Sequence, residues 1–199
     1  MRIAITGADR PMGALLCQRL AAAHDVIPVS AEDLRLPPAA AEAIRSAEMV
    51  VHAQPHDPSV GHGPRTEAEL LERISRDTYV LVQAAIAEHI RRVVLISQMQ
   101  LFEDIPEQFI VSADWQPRPR PEAASLAPYL AELVCREIAR TGKIEAVSLR
   151  MGTLAAVDGT SADDAAAAVQ SALTLDMSDT YHWQVQHVVS GGRFAEQGH

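Results

Sequence analysis

Short apolar, β-branched runs separated by longer amphipathic stretches limit what this chain can fold into. Strands are predicted at 2–6, 25–29, 49–53, 92–97, 145–150 and 182–189, and helices between them at 12–23, 38–46, 66–89, 127–141 and 163–173. Runs such as Val93-Val94-Leu95-Ile96 carry no polar alternation, the pattern of a strand buried on both faces. Such strands, alternating with helices, imply a parallel sheet covered on both sides and joined by right-handed crossovers. At 199 residues, with 48% apolar and 22% charged residues, the chain suits one α/β domain over 1–199.

The first strand leads directly into a turn and a helix, Ile3-Ala4-Ile5-Thr6-Gly7-Ala8-Asp9-Arg10-Pro11-Met12-Gly13. Pro11 sits at a first helical position, where its missing N–H does no harm, and Leu15, Leu16 and Leu20 start an apolar stripe. A strand–glycine turn–helix unit aims free backbone N–H groups and the positive helix end at an anion such as a pyrophosphate. The plainer reading is a βα turn that needs its glycine. Further on, Thr66 with Glu67 and Glu69 marks the start of the longest helix. Proline-rich stretches at 55–64 and 115–121 mark loops, and no internal repeat occurs.

Taken in order, several segments resemble the extended short-chain dehydrogenase/reductases, the NAD-dependent epimerase/dehydratase-like family. Thr6-Gly7 through Gly13 resembles its opening motif, and Asp33-Leu34-Arg35 the acidic region that holds adenine. Val50-Val51-His52-Ala53 is similar to the strand beside the cofactor, and Arg91 through Ser97 to the strand before the serine-rich segment. Ala127-Pro128-Tyr129 resembles the opening of the catalytic-tyrosine helix, Ala146 through Gly152 the fifth strand with its R-x-G, and Ser161 through Ala165 a late helix start. The resemblance implies a Rossmann-type doubly wound parallel sheet with helices on both faces. It also implies cofactor contacts from Gly7, Arg10, Met12, Gly13, Asp33, Leu34, His52 and Ala53, and a role for Tyr129 and Ser97 in catalysis.

The catalytic motif departs from the family at several points. The family pairs its tyrosine with a lysine four residues later, on the same helix face, where the cation promotes the phenolate. Here that position is Leu133. An unassisted tyrosine is about one part in a thousand phenolate at neutral pH. Aligning Leu101-Phe102 with the family's Val-Tyr pair puts Gln98 where a serine or threonine belongs, with Ser97 one residue early and on the opposite strand face. A local shift would rescue Ser97. With Leu133 in place of the lysine, Tyr129 is either the catalytic residue or a tyrosine kept for packing or for a hydroxyl contact to ribose. Ser75 stands near the position of a family asparagine.

The glycine turn departs too, because Arg10 replaces the middle glycine. Two readings stand open: Arg10 pairs with a phosphate, including the extra one of NADP, or it is a solvated turn residue. Ser30 ends the second strand where NAD-selective members place an acid, so NAD and NADP are both admitted, as is no cofactor at all. His52, His56 and His62 lack metal-ligand spacing, Asp163 and Asp164 read as helix-start acids, Trp115 as a loop anchor and Trp183 as core. The segment between Gly152 and Asp163 is short, which implies a minimal C-terminal substrate region.

Composition narrows the partners. A net charge of −9 with scattered basic residues argues against nucleic acid. No run is long and apolar enough for a membrane span, and the first residues do not read as a signal peptide. Two cysteines, Cys17 and Cys135, in helical patterns suit buried thiols in a reducing cytoplasm. Three functional readings follow. The first is a dinucleotide-binding member with eroded catalysis, in a binding, sensing or interaction role and with room for a small-molecule ligand. The second is an active oxidoreductase or sugar-nucleotide epimerase using Tyr129, and the third a dimeric relic without ligand. The resemblance further implies a homodimer through helices 66–89 and 127–141.

Overall fold

A computed structural model describes residues 1–57, 66–156, 159–178 and 181–195. Among these residues six strands, β1 (Arg2–Thr6), β2 (Asp25–Val29), β3 (Met49–His52), β4 (Arg92–Gln98), β5 (Glu145–Met151) and β6 (Trp183–Val188), form one parallel sheet in the order β2-β1-β3-β4-β5-β6. The helices are α1 (Pro11–Leu20), α2 (Pro37–Ile44), α3 (Glu67–Ala87), α4 (Ala123–Ala139) and α5 (Ala162–Thr174).

Strand alternation sorts the core into two layers. Ala4, Val50, Val93 and Leu95 face α2, α3 and α4, where they meet Ile44, Ile74, Leu81 and Ala131. Ile3, Ile5, Val51, Val94 and Ile96 face α1 and α5, where they meet Leu16, Leu20, Val169 and Leu173. This is the doubly wound α/β architecture expected from the strand–helix alternation.

Local chemistry explains the element ends. Thr66 accepts from the Glu69 N–H at 3.2 Å while the Glu69 carboxylate accepts from the Thr66 N–H at 3.0 Å, a reciprocal capping box on α3. At the other end His89 adopts a left-handed backbone, φ 58°. There the His89 N–H bonds to the Ile86 carbonyl and the Ile90 N–H to that of Ala85, closing the helix with a residue type other than the usual glycine.

Helix α4 starts at Ala123, ahead of the predicted 127, with Pro128 inside it. Pro128 still lies near the helix start, and the carbonyl it leaves free belongs to exposed Ala124. Trp183 was expected in the core; it sits half-buried on the edge strand β6, packed against one core layer. Cys135 is buried and Cys17 half-buried, both as free thiols. Among the described residues no helix is long and apolar enough to cross a membrane.

Candidate functional site

In an open α/β sheet, ligands bind beyond the carboxyl ends of the strands where the strand order reverses. Here β1 lies between β2 and β3, so that point is the β1–β3 boundary. Gly7 leaves β1 with φ +67°, and a side-chain carbon there would fall 3.0 Å from the Gln54 backbone. On Gly13 such a carbon would fall 2.0 Å from the Gly7 carbonyl oxygen. The turn, the start of α1 and the loop after β3 are therefore pressed together, and intramolecular packing alone requires both glycines.

The loop after β3 runs across the carboxyl ends of the strands. Gln54 is fully buried and its Nε2 donates to Asp77 Oδ2 at 2.9 Å. The His56 carbonyl accepts from the Gln98 side chain at the end of β4, and His56 Nε2 lies 3.2 Å from the Gly152 carbonyl beyond β5. Asp57 then reaches the start of α1, where its Oδ2 accepts from the Met12 N–H at 2.9 Å. Arg10, only 3% exposed, donates from Nη1 to the Asp57 carbonyl. Helix α1 has no side-chain cap at Arg10, so the Asp57 carboxylate satisfies a donor at its positive end.

Electrostatics follow from this packing. Burial alone would raise the Asp57 pKa, but the His56 side chain, the Met12 N–H and Arg10 together hold it below the ordinary carboxylate value. Burial, with Arg73 nearby, lowers the Arg10 pKa. Asp77 shifts the other way: burial raises it despite Gln54 and Arg73. Arg73 in turn reaches Glu32 at 2.8 Å, so a buried polar network underlies the turn.

Arg10 is neither a solvated turn residue nor aimed outward; its guanidinium is folded inward onto Asp57. The Met12 side chain is in the core, and its N–H is the donor that Asp57 takes. Leu34 packs in the core layer with Val29 and Ile44, in the turn that also carries Asp33. The Asp33 side chain and His62 lie outside the described part of the chain. His52 is fully buried between Thr6, 2.7 Å from Nδ1, and Thr78, 2.9 Å from Nε2. Thr78 donates its hydroxyl to the Ile74 carbonyl, so His52 Nε2 carries the proton and Nδ1 accepts from Thr6. Burial pushes the His52 pKa down to about 3. Ala53, also fully buried, follows it into the loop.

Of the two residues singled out for catalysis, Ser97 is closed off from solvent and Tyr129 is half-buried. β4 pairs with β5 without interruption through Gln98, so no shift turns Ser97, which is fully buried with its hydroxyl unpartnered. Tyr129 on α4 is half-buried against the cluster of Met99, Leu101, Phe102, Ile105 and Val111. Ser75 bonds back to the Leu71 carbonyl of its own helix at 2.7 Å. Where the family places its cation, α4 offers Leu133 and, beside it, the buried Glu132. Glu132 pairs with Arg150 at 2.8 Å and accepts from Ser148 at 3.2 Å. Beyond His56, a cleft of about 220 Å³ is lined by Met99, Gln100, Gly152, Thr153, Arg193 and Phe194. Among the described residues no group of three or more His, Cys, Asp or Glu side chains could hold a metal ion.

The strand order and the glycine turn at the sheet's carboxyl edge define a Rossmann-like protein of the doubly wound class. The family model of the NAD dependent epimerase/dehydratase family matches residues 3–181, and the chain belongs to that family. No curated protein matches the sequence. Among solved structures it is similar to a glucuronic acid dehydrogenase from Chromohalobacter salexigens, with TM-score 0.77, 17% identity, and 95% of this chain and 76% of that one covered. It is also similar to the UDP-glucose 4-epimerase of Thermus thermophilus in complex with NAD, with TM-score 0.76, 16% identity and coverage of 96% and 78%. A third is the Bordetella bronchiseptica enzyme WbmH in complex with NAD+, with TM-score 0.74, 14% identity and coverage of 96% and 76%. At these identities the likeness establishes the fold.

What marked the anion position was Asp57, and sequence reasoning missed it. A lone aspartate in a proline- and histidine-containing loop has no spacing signature. The available signal was the missing cap: α1 begins Arg10-Pro11, with no Ser, Thr, Asp or Asn at the capping position.

Proposed function

We propose that this protein is a dinucleotide-binding member of its family that does not perform hydride transfer and serves in a binding or sensing role. The observation that carries this reading is the pairing of Tyr129 with Leu133 in place of a cation, on a helix whose adjacent charge is the buried carboxylate of Glu132. The buried Ser97 and the tethered Gln98 support it, since neither presents a hydroxyl to a substrate. The ligand class is a nicotinamide dinucleotide, NAD or NADP; the NAD-bound structures of two fold relatives favour this class.

The same reading includes a homodimer through α3 and α4. These helices pack on each other, and Tyr79 stands 53% exposed near the middle of α3.

Calorimetric titration with NAD, NADH, NADP and NADPH tests the proposal, followed by a search for turnover with sugar and sugar-nucleotide substrates. Saturable binding of at least one dinucleotide with no turnover is the expected result. Turnover lost in Tyr129→Phe would establish an oxidoreductase, and no binding of any of the four at millimolar concentration would show that the wild-type chain is not by itself a dinucleotide binder.

A further inference from the structure

The carboxyl edge of the sheet at the β1–β3 boundary, where the proposed dinucleotide would sit, is crossed by four consecutive residues of the chain itself. Gln54 is anchored on Asp77 of α3, His56 on Gln98 of β4 and on the Gly152 carbonyl after β5, and Asp57 on the Met12 N–H of α1. Residues 54–57 thus bridge the start of α1 and the edge above β4 and β5. The Asp57 side chain is 16% exposed and that of His56 5%, so these contacts are packed in rather than laid over the surface.

The chemistry at the end of the segment is that of an anion on a helix terminus. The carboxylate of Asp57 holds the N–H of the second residue of α1, where a phosphate oxygen would find its backbone donor. Arg10, at the position of the family's middle glycine, is buried against the same residue, with its Nη1 on the Asp57 carbonyl and its Nε unpartnered. An incoming phosphate therefore meets a negative charge on the donor it needs and an arginine turned to the loop.

We propose that Asp57 is a built-in stand-in for the cofactor phosphate, which occupies the start of α1 and must be displaced before a nucleotide can bind. This inference rests on the dinucleotide reading given above and adds its regulation. A protein whose binding-competent state is a small fraction of the population binds its ligand more weakly by that fraction. Removing the stand-in raises affinity without adding a contact to the ligand.

The test uses the full chain as wild type, Asp57→Ala and Asp57→Asn, with inorganic pyrophosphate and the four dinucleotides as probes. Asparagine keeps an acceptor for the Met12 N–H while losing the charge, so it serves if the alanine variant folds poorly. The expected result is that pyrophosphate, at constant ionic strength, raises the Tm of the variants and not of the wild type, and that the variants bind a dinucleotide at least tenfold more tightly. Pyrophosphate binding gained in the variants with no dinucleotide bound by any of them would keep the stand-in and remove the dinucleotide reading. Equal pyrophosphate affinity in all three proteins, or none in any, would overturn the stand-in whatever the dinucleotides do.

Discussion

Both carboxylate oxygens of Glu132 are held by the Arg150 guanidinium, Nε at 2.9 Å from one and Nη2 at 2.8 Å from the other, with each side chain only 4% exposed. Arg150 also stacks 5.0 Å from the Phe102 ring centroid and donates to the Ala113 carbonyl at 3.2 Å. The pair ties α4, β5 and the loop that precedes α4 around one point. Removing one partner strands a buried charge, so Glu132→Ala should lower unfolding stability by about 3–5 kcal/mol. Replacing both Glu132 and Arg150 by apolar residues should recover much of that loss in urea titrations.

The neutral His52 makes the fold acid-sensitive. Its pKa in the folded protein is about 3, against about 6.5 for an unfolded chain, so the unfolded state binds the extra proton between these values. The contribution of His52 is complete above pH 6.5 and falls as pH drops toward 3, by about 2 kcal/mol between pH 7 and pH 5. His187, lowered to about 4 by burial and then by Arg150, acts with the same sign. Denaturation midpoints from pH 7 to pH 5 should fall more steeply for the wild type than for His52→Gln, and parallel slopes would show that His52 does not titrate on unfolding.

At the end of α3, His89 bears the cost of a left-handed backbone, φ 58°, where glycine is the residue without penalty. His89→Gly should stabilise the protein by about 1 kcal/mol, less the chain entropy that glycine adds to the unfolded state. Thermal melts at pH 7 read this directly as a rise in Tm.

Restoring the family's lysine at a single position should not restore chemistry. Leu133→Lys would place a cation one helical turn from Tyr129, yet Ser97 would stay buried and Gln98 tied to the His56 carbonyl. Nicotinamide absorbance in this variant is expected to show no turnover above background. Turnover would mean that the missing cation was the sole obstacle.

The proposed pairing through α3 and α4 has its own check. Tyr79→Glu puts a charge at an exposed position and should leave the fold intact while converting a dimer to a monomer in light scattering. An unchanged dimer would place the interface elsewhere.

Much of the scaffold was legible in the residues, because burial on both faces leaves uninterrupted runs such as Val93-Val94-Leu95-Ile96 that no other role explains. The start of α4 was not, since Pro128 reads as a helix beginning when it is a tolerated interior residue near one. Gly7 and Gly13 were legible as a turn, but the turn presses on Gln54 and on itself, so their presence alone says nothing of a ligand. The role of Asp57 depends on where β3 delivers its loop, a tertiary relation that no local window contains.

The far side of the sheet ends at β2, which among the described residues pairs with β1 alone. The Asp25 nitrogen and the Val29 carbonyl both bond toward β1, so by alternation the backbone of Pro28 faces outward. Its missing N–H costs the ladder nothing and removes a donor from that margin. A foreign strand seeking to extend the sheet there finds a gap in the hydrogen-bonding template. The protein is thereby guarded against edge-to-edge polymerisation on one flank, and any growth by strand addition is steered to the β6 side.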